Sequence, residues 1–345
     1  MASVGELEQV VLAMDWTPNT NHVGFYVAQA LGYYSEAGIS VQLLSPHLDS
    51  YETTPASRVA SQSATFALAP PETVISYHLP PERPKLVAVA TLLQEDLSAI
   101  VTLKSSGISR PKGLDGKVYA SYAARFEGRI VQRLIQADGG KGDYVEEVPE
   151  KLGIWNTLVS GNADATWVFK GWEGVEATMK GLELNEFTLA DYAIPYLPAP
   201  VLVAHPDTLR DKADVVRKFL KASAKGFAFA AQNPSQAANL FTEIATKENP
   251  ALPTPLDAPM VLKSLQFMSP HFLDSKGSWG ASSPEKWAKY IDWLSKEGLL
   301  SSFIQSRNPE PGVSVSLDEL RQGKIGETFT SSKLPVGELI SNSYL

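Results

Sequence analysis

The sequence predicts an α/β protein of about two domains. Short apolar runs alternate with segments of helical periodicity, and the 345 residues exceed what one ordinary core fills. Composition agrees: hydrophobic residues make up 44% and charged residues 20%, the balance of an ordinary globular chain.

Residues 9–14 (QVVLAM) read as a buried strand. The next stretch, Asp15-Trp16-Thr17-Pro18-Asn19-Thr20-Asn21-His22, carries the Pro and Asn of a loop. In 23–31, Val23, Phe25, Val27, Ala28 and Leu31 suit a helix that ends near Gly32. Residues 39–44 are a second strand, 56–62 a helix and 65–69 a third strand. Pro70 and Pro71 then open a helix to about His78, proline being tolerated where its missing N–H has no partner to lose. Residues 85–91 are another strand. The pattern resumes with strands at 99–103, 117–121, 144–148 and 163–169, and helices at 125–137, 151–160 and 172–179. After a strand at 200–204 the chain turns mainly helical, at 215–231, 234–245, 259–266 and 284–297. This alternation predicts a mostly parallel sheet. There is no internal repeat or low-complexity tract.

Composition narrows the function classes. The net charge of -8 is spread without long runs, against a basic nucleic-acid surface. With no cysteine there is no disulfide, thiolate metal site, iron–sulfur cluster or cysteine nucleophile. The five histidines, His22, His47, His78, His205 and His271, show no close ligand spacing, so neither a metal nor a cofactor is expected. No apolar run reaches the roughly 18–20 residues of a membrane span, so no membrane insertion is expected. The acidic opening from Met1 to Glu8 has no basic or long apolar region of a secretory signal. The expected location is cytoplasmic for the chain as written, and extracytoplasmic where a signal has been removed. The closing Ser343-Tyr344-Leu345 is only faintly like a peroxisomal address and reads as an ordinary end.

Several segments carry a resemblance. Met14 to Ala28 runs MDWTPNTNHVGFYVA and is followed by Gly32-Tyr33-Tyr34; Phe66 to Val74 runs FALAPPETV. Lys170-Gly171-Trp172-Glu173-Gly174-Val175-Glu176, residues 216–226 and the stretch from Trp287 to Leu299 add weaker matches. Together they resemble the NMT1/THI5-like (SsuA/THI5) family, with bacterial formylaminopyrimidine-binding proteins nearest and hydroxymethylpyrimidine phosphate synthase more distant. The resemblance implies a two-lobed periplasmic-binding-protein type II fold with a ligand cleft. It implies lobe 1 at 9–97 plus 199–304 and lobe 2 at 98–198. Crossovers then fall near 97–98 and 194–200, the second stiffened by Pro195, Pro198 and Pro200. Residues 305–345 are left unassigned. The implied ligand is a small thiamine-precursor pyrimidine, and the implied partner a transporter if the chain is exported.

The residues can be weighed against that ligand. A flat aminopyrimidine needs an aromatic face, worth roughly 0.5–1.5 kcal/mol beyond burial. It also needs acceptors for its amine. Trp16 follows a strand end, where α/β sheets hold ligands, with Asp15, Asn19, Asn21 and His22 around it. Glu72 and Thr73 stand at the mouth of the third strand, and Trp172 and Glu173 past the end of a strand in the other lobe. Tyr122 sits in the strand-to-helix turn 121–129, whose backbone N–H groups with Arg125 and Arg129 would suit an anion. Each has a structural alternative: Trp16 as core, the Asn residues as turn formers, Glu72 as a first-turn carboxylate, Trp172 as helix packing, the arginines as a surface helix.

The synthase resemblance departs at its chemistry. Its reactive lysine and histidine fall near Ala69 and Thr73, and its cysteine-rich segment aligns with 193–204, which has no cysteine. The expectation is therefore a binding protein, with no catalytic residues. A diverged enzyme acting on pyridoxal phosphate or a related ligand is the alternative.

Overall fold

The computed structural model describes residues 7–345; the acidic opening Met1–Glu6 lies outside the described residues. Among these residues, ten strands form two five-stranded sheets. The strands are β1 (Glu8–Ala13), β2 (Ile39–Leu44), β3 (Phe66–Ala69), β4 (Val87–Thr91), β5 (Ser98–Leu103), β6 (Val118–Ala120), β7 (Val145–Glu147), β8 (Ala165–Phe169), β9 (Leu184–Phe187) and β10 (Val201–Ala204). The first sheet runs β2-β1-β3-β10-β4 and the second β7-β6-β8-β5-β9. The fold is two-lobed α/β.

The sheets are mixed rather than mostly parallel. β1 pairs in parallel with β2 and β3, and β6 with β7 and β8. β10 pairs antiparallel with β3 and β4, and β5 with β8 and β9. β5 and β10 are the strands reached after each passage between sheets. A strand arriving from the other sheet is not tied to the direction that a short helical crossover imposes. The edge strand β9 escapes a hydrophobic scan because LNEF buries Phe187 alone. In the second sheet's first helix, regular structure begins at Glu127 rather than 125.

Tight helix contacts secure the first lobe. The helix Val23–Ala30 lies on Ala213–Gln232, and a methyl at Gly226 would stand 1.9 Å from the Gly24 carbonyl oxygen. Phe66 stacks on Phe219 with centroids 4.5 Å apart. A second buried cluster spans both sheets, joining Ala88 and Val201 to Tyr119 and Ile130 through Trp287, Tyr290 and Leu294 of the helix Pro284–Lys296.

Residues 305–345 bind the two lobes together. Ser316 and Glu319 form a capping box that starts the helix Leu317–Arg321, whose Arg321 donates to the Tyr144 carbonyl at 2.9 Å. Farther on, the Ser341 N–H donates to the Ala88 carbonyl of β4 at 2.9 Å, and the Tyr344 hydroxyl to the Leu209 carbonyl at 3.2 Å. No described helix is long and apolar enough to cross a membrane.

Candidate functional site

In the first lobe, the loop after β1 satisfies its own polar groups. The Asn19 side chain accepts from the Asn21 N–H at 2.9 Å and donates to the Thr17 carbonyl at 3.0 Å. The Asn19 N–H donates to His22 Nδ1 at 3.4 Å, completing a capping box over the turn Thr20–His22. With Nδ1 accepting, Nε2 carries the ring proton and donates to Asp15 Oδ1 at 2.8 Å. His22 is fully buried. Asn19 and His22 therefore shape the loop, and Asp15 is tied to His22. Asn21 is buried. Trp16 is left half-exposed at the loop's front.

Two tyrosines flank Trp16. Tyr51, from the segment after β2, tilts against it at 6.2 Å and donates its hydroxyl to the Asp15 carbonyl. Tyr122, from the second lobe, meets it edge-on at 5.9 Å. Trp172, one of the aromatics weighed for the ligand, is partly buried against the first lobe's core. Its neighbour explains the docking: a methyl at Gly171 would stand 2.1 Å from Met268 Sδ. Ser264 donates to the Gly171 carbonyl and shares a hydrogen bond with the Thr20 hydroxyl at 2.5 Å.

The turn after β6 is held from both sides. Ala123 takes a φ of 53°, and the N–H groups of Tyr122 and Ala124 donate to Glu127 at 3.1 and 3.2 Å. Tyr119 adds its hydroxyl to the same carboxylate at 2.9 Å. From outside, Arg307 donates to the carbonyls of Ser121 (3.1 Å), Tyr122 (3.1 Å) and Pro149 (2.6 Å). The two arginines expected to meet an anion are committed elsewhere. Arg125 bonds Ser76, Pro80 and Ser301, and Arg129 bonds Gly298, Leu299 and Ser301. The donors expected to await an anion are therefore spent on the chain itself.

Buried carboxyls occur in both lobes. Glu72 accepts the Tyr196 hydroxyl on both oxygens, at 2.8 and 2.7 Å. Thr73 follows it, half-buried, in the first turn of the helix Pro71–Tyr77. Glu173 accepts the Phe169 N–H at 3.0 Å. Burial pushes Glu72, Glu127 and Glu173 each up to about 7, against an ordinary 4.5. Asp96, at the first crossover, is pushed to about 6 by burial, while Ser98 bonds to it offset part of the rise. Lys151 Nζ lies 3.9 Å from the Tyr51 ring centre, and burial lowers it to about 8. Perturbed groups gathered in a cleft mark a functional site more often than a surface does.

Sequence reasoning missed Tyr51, Asp96, Glu127, Lys151, Tyr196 and Arg307. Glu127 had a signal, an acidic residue two positions past an arginine in a strand-to-helix turn. Tyr196 and Arg307 had none, because their partners lie 124 and 186 residues away. No metal-holding group of His, Asp or Glu side chains occurs among the described residues.

Comparison with known proteins places this geometry in context. A family model described as NMT1/THI5 like matches residues 19–237, more than half of the chain. The chain is 26% identical over 302 residues to the formylaminopyrimidine-binding protein of Halalkalibacterium halodurans, covering 86% of this chain and 88% of that one. It is 24% identical over 295 residues to the 4-amino-5-hydroxymethyl-2-methylpyrimidine phosphate synthase of Legionella pneumophila, covering 81% and 86%. Among solved structures it is similar to the alkanesulfonate-binding protein SsuA of Xanthomonas axonopodis, with a TM-score of 0.63 at 11% identity, covering 86% of this chain and 95% of that one.

Proposed function

The chain belongs to the NMT1/THI5-like family, and from that premise we propose that it binds a thiamine-precursor pyrimidine between its lobes. The ligand is of the formylaminopyrimidine or hydroxymethylpyrimidine type, and the role is in thiamine-precursor uptake, salvage or biosynthesis. The lobes divide as 9–97 plus 199–304 and 98–198. Where the chain is exported, its partner is a membrane transporter.

One observation carries the reading: Trp16 of the first lobe meets Tyr122 of the second edge-on, with centroids 5.9 Å apart, where the lobes come together. An indole face supports a flat ring. Glu72 and Glu173 supply acceptors for ring and amino N–H groups, and Asn21 supplies both an acceptor and donors. Binding without turnover is supported by Ala69 and Thr73, where the synthases' reactive lysine and histidine would stand. The second half of that pair has no substitute nearby, since His78 spends its Nε2–H on the Leu86 carbonyl at 2.9 Å.

The test is calorimetric titration with formylaminopyrimidine, hydroxymethylpyrimidine, its phosphate, thiamine and pyridoxal phosphate. Saturable binding of a pyrimidine is expected. Heat from none of the five rejects the ligand class and leaves the fold standing. Product formation from pyridoxal phosphate would reject the receptor reading instead.

A further inference from the structure

The turn after β6 opens an eleven-residue helix, Glu127–Ala137, and would ordinarily offer free N–H groups to an anion. Here the chain supplies its own anion. Glu127 is 2% exposed, and its carboxylate takes the N–H groups of Tyr122 and Ala124 together with the Tyr119 hydroxyl. The left-handed Ala123 between them turns both N–H groups to one side, onto that carboxylate.

A second, independent observation concerns the cations. Arg125, Arg129 and Arg307 all stand within reach of this turn or its helix, and every hydrogen bond they make here ends on a protein carbonyl or serine hydroxyl. Lys151 remains, and it lies over the Tyr51 ring. Glu72 and Glu173 are two more buried carboxyls, and Glu173 lies close enough to Tyr122 to act on it electrostatically. An entering phosphate would meet the turn's backbone donors already filled by Glu127, and like charge in a poorly solvated space, where such juxtapositions are costly.

We infer that Glu127 sets the charge class of the ligand: the cleft accepts a neutral or cationic aminopyrimidine and turns away its phosphate ester. This rests on the pyrimidine reading above and sharpens it. A heterocycle that presents N–H groups and no anionic tail matches a wall of acceptors. A phosphorylated one would have to displace Glu127 from three donors to use this turn.

The experiment is calorimetry at pH 8 with hydroxymethylpyrimidine, its phosphate ester and inorganic phosphate, on wild type, Glu127→Gln and Lys151→Ala. In wild type the unphosphorylated compound is expected to bind at least about 100-fold tighter than the ester. In Glu127→Gln the amide nitrogen cannot accept from Ala124, the charge is gone, and that gap should narrow about tenfold or more. An ester that binds wild type as tightly as the alcohol overturns the inference and leaves the pyrimidine reading intact. A gap unchanged in a folded Glu127→Gln, checked by circular dichroism, also overturns it. The wild-type comparison needs no variant and stands even if Glu127→Gln fails to fold. If neither pyrimidine binds, the ligand reading fails and inorganic phosphate decides the charge filter alone. Heat in wild type that Lys151→Ala abolishes refutes the filter; heat only in Glu127→Gln supports it.

Discussion

In the first lobe the loop that carries Trp16 is held mainly by its own short-range bonds: Asn19 bonds a residue two positions on, and His22 bonds Asp15 seven positions back. In the second lobe the corresponding turn is gripped by Arg307, 185 and 186 residues farther along the chain. Both walls present an aromatic ring, Trp16 on one side and Tyr122 on the other. Short-range bonds dominate around the first ring, with Tyr51 and Ser264 bracing its loop, whereas the turn of the second is held both by nearby Glu127 and by the C-terminal segment after it has folded back. A local wall should tolerate distant change; a wall assembled from afar should not.

The largest effect expected is on the first wall's own ring. Trp16→Ala should cost roughly 2–4 kcal/mol of binding, about 30- to 1000-fold in affinity, as for aromatic truncations in packed sites. Because the loop holds itself, the melting temperature should barely move. Equal affinity in a folded variant would make Trp16 structural and remove the first wall from the comparison.

Next comes pH. Glu72, Glu127 and Glu173 are raised to about 7 in the folded chain from 4.5. A folded state that holds more protons than the unfolded one loses stability as pH rises. Their contribution is therefore complete below about pH 4.5 and is lost as pH climbs through 7, by about 3 kcal/mol per carboxyl at most. Thermal melts at pH 5.5 and pH 8 should show the lower midpoint at pH 8. Two of the three carboxyls belong to the second lobe, so Glu127→Gln with Glu173→Gln should flatten the profile more than Glu72→Gln. A midpoint that rises with pH in wild type would contradict the burial argument.

Arg307→Ala tests the distant grip directly. Losing charge-assisted bonds to three carbonyls should cost about 2 kcal/mol of stability and roughly tenfold in ligand affinity. Arg307→Lys should recover little, since an ammonium cannot span three carbonyls as a planar fork does. Denaturant melts and calorimetry on both variants check this, and unchanged affinity in Arg307→Ala would show that Tyr122 needs no help from the C-terminal segment. The smallest effect is Asp15→Asn. The amide oxygen still accepts from His22 Nε2–H, so the cost should stay within about 1 kcal/mol; a loss as large as Arg307→Ala would mean the first wall is less self-sufficient than its bonds indicate.

The same division explains what could be read in advance. β1, β2 and β3 are strands of four to six residues built on apolar positions, alternating in β2 and continuous in β3, and Trp16 follows β1 by three positions, so strand and loop announced each other. β9 was silent because it is a half-exposed edge with a polar composition. The strand directions were misjudged because alternation of strand and helix does not record which strands arrive from the other lobe. Asn19, His22, Glu72 and Glu173 were legible as polar residues at strand mouths. Which of them build the loop was not, since that depends on which hydrogen bonds are made. Trp172 was placed in the cleft by its position after β8, yet the close approach of Gly171 to Met268 draws it onto the first lobe.

What the sequence by itself determined is local: hydrophobic periodicity, proline and asparagine punctuation, and a Trp just past a strand end. These follow from interactions within a few residues, where the spacing is written in the chain. The tertiary structure alone decided that Tyr122 rather than Trp172 meets Trp16, that Tyr196 holds Glu72, and that Glu127 and Arg307 close the second lobe's turn. It also decided the charge state of the cleft. Desolvation belongs to a place and not to a residue type, and a glutamate becomes a group that titrates near neutrality only when both lobes have folded around it.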